Sequence, residues 1–316
     1  MNETLPKAFG CYTNTIMSSI GFFGSIICFI TFNNSIFKLN FYNYFKMEVL
    51  FICFDLLLSI SAILIDCNDI QVRFQYHANI YKIYFIAYLK SVFELVINIY
   101  GLLGTLVFYS TIVDSYFLKK ISKVSYKIIC FICLILGFLL FIFRIFDFKI
   151  IQSFSIISNN SVFISDKSDF SHTEFSIIIN IISFIIRDLL YVLILIVLNS
   201  LIFFKVKDLI KKKRTIMANV NSIDSNNETN MKSSLLSTKI MVIVGNINNL
   251  FGRIPILINL VLDASIEEYE SKTFGIFIFH LAIFTVYTSY IVKFILYYIT
   301  NKNFRLVILK YLKRIF

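Results

Sequence analysis

Seven apolar runs divide this chain, at about 16–38, 47–66, 83–117, 127–148, 174–206, 238–263 and 273–299. Each is long enough to cross the hydrocarbon core of a bilayer as a helix. In lipid the backbone polar groups must be satisfied within the spanning element, so runs of this length predict helices. Composition excludes a soluble alternative: 58% of the residues are hydrophobic and 16% are charged, where soluble domains carry about a quarter charged. The third and fifth runs exceed the bilayer thickness and are expected to tilt or project beyond it. The reading is one all-α membrane domain: an N-terminal segment 1–15, a seven-transmembrane helix bundle 16–299 and a tail 300–316. No basic leader with an apolar core and a small-residue cleavage site precedes the first run, which is expected to act as the insertion signal itself.

Charge gives the bundle a direction. The net charge is +11, but the basic residues lie in short loops between apolar runs, where they set topology and do not indicate nucleic acid. Lys38 and Lys46 follow run one, Lys119, Lys120, Lys123 and Lys127 follow run three, and Lys205, Lys207, Lys211, Lys212, Lys213 and Arg214 follow run five. The alternate loops are poorer in Lys and Arg and carry Asp66, Asp69, Asp166, Asp169, Glu267, Glu268 and Glu270. The positive-inside rule then places the N-terminus outside the cell and the C-terminus in the cytoplasm. Sequons headed by Asn2 and Asn159 fall on the outer side and are glycosylation candidates; those at Asn33 and Asn227 fall at the inner face.

Two polar segments border the inner face. The stretch 207–237 is rich in Lys, Ser and Asn and is expected to be a flexible cytoplasmic loop, either phosphorylated on its serines or an unmodified linker. In the tail, Phe304, Ile308, Tyr311, Leu312 and Ile315 recur at helical spacing while Lys302, Arg305, Lys310 and Lys313 face elsewhere. This predicts an amphipathic eighth helix on the inner leaflet.

Several short motifs accompany this topology. Run two contains Leu50-Phe51-Ile52-Cys53-Phe54-Asp55-Leu56-Leu57, run three ends in Asp114-Ser115-Tyr116, and run six carries Pro255. Run seven closes with Tyr297-Tyr298-Ile299-Thr300-Asn301-Lys302-Asn303-Phe304-Arg305, and run one has Gly21-Phe22-Phe23-Gly24-Ser25. Together these resemble the rhodopsin-like G-protein-coupled receptors, in a divergent form similar to invertebrate chemosensory or peptide receptors. The departures are specific: Ser115 stands for the family's Arg, Lys293-Phe294 for its Asn-Pro, Arg253 for a common Trp, and Lys90 for the disulfide Cys. The resemblance implies an extracellular peptide or small-molecule ligand, a heterotrimeric G protein meeting Asp114, Ser115 and Tyr116, and no cofactor.

Charges inside apolar runs are costly, at about 2.5–3.5 kcal/mol each on insertion scales, and face the bundle interior. The resemblance makes runs two and seven neighbours, which leads to an expected Asp55–Lys293 ion pair where relatives bind sodium; the alternative is Lys293 reaching the inner headgroups. Tyr297 and Pro255 are the other switch candidates. Lys90, Glu94, Arg187, Asp188, Arg253 and His280 are candidates for a charged ligand pocket, or, for the charged residues, for internal salt bridges that hold helices in register. Lys90 and Glu94 share a face at i,i+4, whereas the adjacent Arg187 and Asp188 are expected to need separate partners.

Only Cys11 and Cys67 fall on the outer side, giving a candidate disulfide or two free thiols. The cysteines and the three dispersed histidines match no metal-ligand spacing. No nucleophile motif marks an enzyme. A transporter or channel-like protein using the intramembrane charges is the alternative to a receptor, although no inverted repeat is visible.

Overall fold

The computed structural model describes residues 4–67, 75–113, 125–155, 160–219, 226–265 and 273–315. Among them, seven helices are long and apolar enough to cross a membrane. They are α1 (Thr4–Phe32), α2 (Asn40–Cys67), α3 (Tyr76–Ile112), α4 (Tyr126–Phe141), α5 (Glu174 to Asn219), α6 (Asn226–Ser265) and α7 (Thr273–Thr300). A final helix, α8 (Lys302–Ile315), is the expected amphipathic one.

The helices form a ring in which α1 lies between α2 and α7, α7 beside α6, α6 beside α5, α5 beside α3, and α3 beside α2. Helix α4 packs outside the ring against α3. Large apolar side chains cover the outside: Phe131, Leu136 and Leu139 of α4 and Ile196, Val197 and Phe203 of α5 are exposed. That inversion of the soluble pattern is what a hydrocarbon solvent permits.

Two boundaries differ from expectation. Helix α2 begins at Asn40, seven residues before the apolar run, because Phe41, Tyr42, Tyr44 and Phe45 are buried. The stretch expected as a flexible loop, 207–237, is helical on both sides: α5 continues to Asn219 and α6 starts at Asn226. Lys, Glu, Met and Leu in those flanks are good helix formers, so the helices outlast their apolar segments.

The end of the bundle bearing α8 is closed by aromatic rings. Phe32 packs against Tyr297 at 5.0 Å, Phe304 at 5.4 Å and Phe37 at 5.4 Å between ring centroids, and Phe41 packs against Phe108 at 5.5 Å. Asn301 caps α8, its Oδ1 accepting from the Phe304 backbone N–H, while its Nδ2 donates to the Tyr42 hydroxyl at 3.1 Å. Tyr297, expected as a switch residue, is a buried member of this aromatic knot.

The other end carries an antiparallel hairpin that the apolar pattern did not reveal, β1 (Phe148–Ser155) and β2 (Asn160–Lys167), registered from Phe148↔Lys167 to Ser155↔Asn160. Asn79, buried in the first turn of α3, clasps it. Its Nδ2 donates to Phe163 O at 2.8 Å and its Oδ1 accepts from Ser165 N at 3.0 Å. The carboxamide thereby pairs with the strand edge as another strand would. The Tyr76 ring meets Phe163 at 5.4 Å beside it. At the foot of the hairpin Lys149 bonds Asp169 at 3.0 Å and holds that exposed carboxyl below the usual range.

Cys11 is disulfide-bonded, and Cys28, Cys53, Cys130 and Cys133 are free. The side chain of Cys67 lies outside the described residues.

Replacing Asn79 by Leu removes both clasp bonds, each worth about 0.5–1.5 kcal/mol. The Ser165 amide should then exchange with solvent roughly tenfold faster or more, while amides in the middle of α3 keep their protection.

Candidate functional site

Below the hairpin, charged side chains from several helices meet inside the bundle. The centre is Arg187. Residues Ile185–Leu189 of α5 form a π-helical turn between Glu174–Phe184 and Leu190–Asn219. The wider turn carries both Arg187 and Asp188 inward, and both are buried. Arg187 Nη2 lies 2.6 Å from Asp188 Oδ2, and Nε donates to the same oxygen at 2.7 Å. Its Nη1 lies 3.1 Å from Glu94 Oε2 on α3. The expectation that adjacent Arg187 and Asp188 need separate partners is therefore corrected. The π turn and the long guanidinium stem bring together two residues that an ordinary α-turn would separate. Asn98 Nδ2 donates to the Arg187 carbonyl at 2.8 Å, satisfying an acceptor in this irregular turn.

Around this pair the other charges are arranged by helix. Arg144, just beyond α4, donates to Ser91 Oγ at 3.0 Å, and Arg187 donates to the same oxygen at 3.3 Å. Both guanidiniums lie over the Phe141 ring, at 5.5 and 5.8 Å from its centroid. Lys90 Nζ donates to Ser59 Oγ on α2 at 2.8 Å and sits 5.9 Å from the Tyr287 ring centroid on α7. Ser59 Oγ in turn donates to the Asp55 carbonyl at 2.8 Å. Asp55 itself is buried on α2, its Oδ1 without a hydrogen-bond partner. Arg253 on α6 is buried, with Nη1 3.7 Å from Asp188 Oδ1. Phe251, by contrast, points outward and is 74% exposed, so it does not fill the bundle at this level. Helix α6 runs on through Pro255 without interruption. His280 is half-buried on α7, its ring 5.7 Å from Phe279.

The expected Asp55–Lys293 pair is also corrected. Lys293 Nζ lies 2.6 Å from Glu48 Oε1, and both side chains are almost fully buried. Glu48 lies seven residues from Asp55 on α2, two turns nearer the α8 end, or ~10 Å along the axis. With α2 starting at Asn40, Glu48 is well inside the helix instead of at its boundary. A Cβ on Gly101 would come 2.9 Å from Glu48 Oε1, so glycine there lets the carboxylate lie against α3 without shifting. Gly104, one turn on, likewise admits the Phe45 ring, which would lie 2.8 Å from a Cβ there.

Sequence reasoning followed charges and missed the uncharged amides. Thr105 Oγ1 on α3 donates to Asn246 Oδ1 on α6 at 3.0 Å, and Asn246 Nδ2 donates to Asn199 Oδ1 on α5 at 2.8 Å. Asn248 Nδ2 donates to the Ser289 carbonyl on α7 at 2.6 Å. A small cavity borders this seam, lined by Glu48, Asn246, Asn249, Lys293 and Tyr297 among others. The signal was present as three asparagines at 246, 248 and 249 inside one apolar run. Asp114, Ser115, Tyr116, Asn2 and Asn159 lie outside the described residues.

Seven spanning helices, an eighth at the C-terminal end and this ring order define a multi-pass membrane protein with a G-protein-coupled-receptor-like fold. Among solved structures the chain is similar to squid rhodopsin, with a TM-score of 0.61 and 14% identity over 100% of this chain and 87% of that one. At that identity the likeness is one of fold. No family model and no curated protein matches the chain.

Replacing Lys293 by Met leaves Glu48 buried and unpaired, which costs about 3–5 kcal/mol, whereas the Glu48→Leu, Lys293→Met double variant should recover most of it. A double-mutant cycle by reversible unfolding should give coupling above about 1 kcal/mol for positions 48 and 293, and under about 0.5 kcal/mol for 55 and 293. The reverse order would restore the Asp55 pairing.

Proposed function

We propose that this chain is a plasma-membrane G-protein-coupled receptor that binds an extracellular ligand, a neuropeptide or a small chemosensory molecule, and signals to a cytoplasmic G protein. The observation that carries this reading is the buried charged network beneath the hairpin, built into a receptor-like fold. Its members on α3, α5 and α6 offer a ligand both signs of charge. A ligand competing for Asp188 or Glu94 would change how Arg187 and Arg253 are held, and so would shift α5 against α6. In this reading Lys90, Glu94, Arg187, Asp188, Arg253 and His280 line the ligand side.

The orientation follows from charge. The Lys-rich flanks of α3 and α5 and the basic face of α8 lie on the cytoplasmic side, where Asp114, Ser115 and Tyr116 meet the G protein. The N-terminus is outside, where the disulfide of Cys11 would form in an oxidising environment, with Cys67 as its partner. Asn2 and Asn159 are then available for glycosylation.

A seven-helix channel or transporter is the second reading, favoured by the continuity of buried charges from Asp55 and Lys90 to Arg253. Expression with a promiscuous G-protein reporter, screened against peptides and amines, separates the two. A receptor gives a saturable response whose potency falls at least about tenfold in Arg253→Ala, the loss expected for one charged hydrogen bond. Ligand-evoked current without reporter output supports the channel instead.

A further inference from the structure

Several buried glycines of this bundle sit where a neighbour comes close. A Cβ would meet Glu48 Oε1 at Gly101, the Phe45 ring at Gly104, Val92 Cγ1 at 2.9 Å at Gly137 and Ser289 Oγ at 2.6 Å at Gly252. Gly245 on α6 is different. It is buried, yet a Cβ there would meet no atom of a neighbouring helix within 4 Å. Glycine inside a helix costs stability relative to alanine, and here no close approach requires it. What Gly245 leaves open is the cavity that it lines with Asn246 and Asn249 of α6, Glu48 of α2, and Lys293 and Tyr297 of α7. The cavity measures about 10 Å³, the size at which a single water fits. Its lining is polar, whereas cavities that stay dry are apolar. Lys293 has three N–H donors and Glu48 two acceptor oxygens, and the 2.6 Å bond from Nζ to Oε1 uses one of each. Both signs of charge border the space. A cation would face Lys293 and an anion would face Glu48, so a neutral dipole that both donates and accepts suits it best.

We propose that this cavity is a hydration site, in which one ordered water is held between the Glu48–Lys293 pair and the amides of Asn246 and Asn249, with Gly245 keeping its place open. The amide of Asn246 is bonded on its other side to Thr105 and Asn199, so the water extends the asparagine seam from α3 and α5 to the ion pair of α2 and α7. A water-mediated bond is nearly as good as a direct one and can re-form with either partner. Helix α6 can then shift against α2 and α7 at this level without leaving Glu48 or Lys293 unsolvated. The site depends on neither the ligand nor the G protein of the receptor reading. The competing arrangement is a dry void beside a closed ion pair.

The test uses the purified full chain in lipid nanodiscs. Brief X-ray pulses turn water into hydroxyl radicals in place, bound water included, and mass spectrometry reads which side chains are oxidised. Two pairs of like residues are compared. Tyr297 and Phe45 line the cavity, while Tyr100 and Phe108 do not, and all four are buried. The expected result is labelling of Tyr297 and Phe45 several-fold faster than that of Tyr100 and Phe108. In Gly245→Ala the methyl group takes the place of the water, and labelling of Tyr297 and Phe45 falls to the rate of the other pair. Alanine is a better helix former and enters open space, so this variant keeps the fold. Equal rates within each pair in the wild type would mean a dry cavity and would overturn the site. Fast labelling that persists unchanged in Gly245→Ala would also overturn it, because the radicals would then reach Tyr297 by opening of the bundle. The wild-type comparison stands whether or not the variant is obtained.

Discussion

Arg187 holding Asp188 and Glu94 at once is the contact on which the middle of this bundle depends. A lone guanidinium in hydrocarbon is costly, and so is a lone carboxylate. Bringing three charges together lets each offset the desolvation of the others, provided that every hydrogen-bonding atom finds a partner. The requirement reaches into local structure. Both residues of α5 can turn inward because Ile185–Leu189 is π-helical, and Asn98 supports the irregular turn from α3. Helix–helix packing here is therefore partly an electrostatic assembly, whereas lipid-facing leucines and isoleucines supply little preference of one apolar neighbour for another.

The bundle divides along its length. Towards the hairpin, the charged network joins α2, α3, α5 and α6 and the residues just beyond α4. Towards α8, Phe32 of α1 and Tyr297 of α7 pack against Phe304, Phe41 of α2 packs against Phe108 of α3, and the Asn301 carboxamide is bonded to Tyr42 among them. The Glu48–Lys293 pair and the asparagine seam lie between these layers. That middle layer touches α2, α3, α5, α6 and α7, so movement of α6 relative to α3 must break or exchange the Thr105–Asn246 and Asn246–Asn199 bonds. Uncharged amide bonds are weaker than buried ion pairs and can exchange partners at lower cost. The middle of α6 is thus held by the more adaptable contacts, and the pair α2 and α7 by the firmer one.

At several positions the residues differ from those the family resemblance led one to expect. Lys90, where the resemblance led to a cysteine, lies well inside α3 and bonds Ser59, while Asn79 in the first turn of α3 joins the hairpin by two hydrogen bonds. Lys293 enters an ion pair with Glu48. Arg253 occupies the level where an aromatic side chain was expected, while Phe251 turns to the lipid.

What could be read from the sequence was whatever depends on local pattern. Seven apolar runs, the heptad-like spacing of Phe304, Ile308, Tyr311 and Ile315, and the Lys-rich loops each carry their meaning within a few residues, because bilayer thickness and helix periodicity set the scale. The hairpin was not legible: its strands mix apolar and polar residues in a loop where length alone gave no signal. The pairing of charges was not legible either. Asp55 seemed the partner of Lys293, yet Glu48, 245 residues away in sequence, reaches it because α2 starts early and Gly101 leaves the space. Which residues must be buried follows from hydropathy and is a property of each segment. Which buried charge meets which follows from the depth, rotation and neighbours of whole helices, and only the folded bundle sets those.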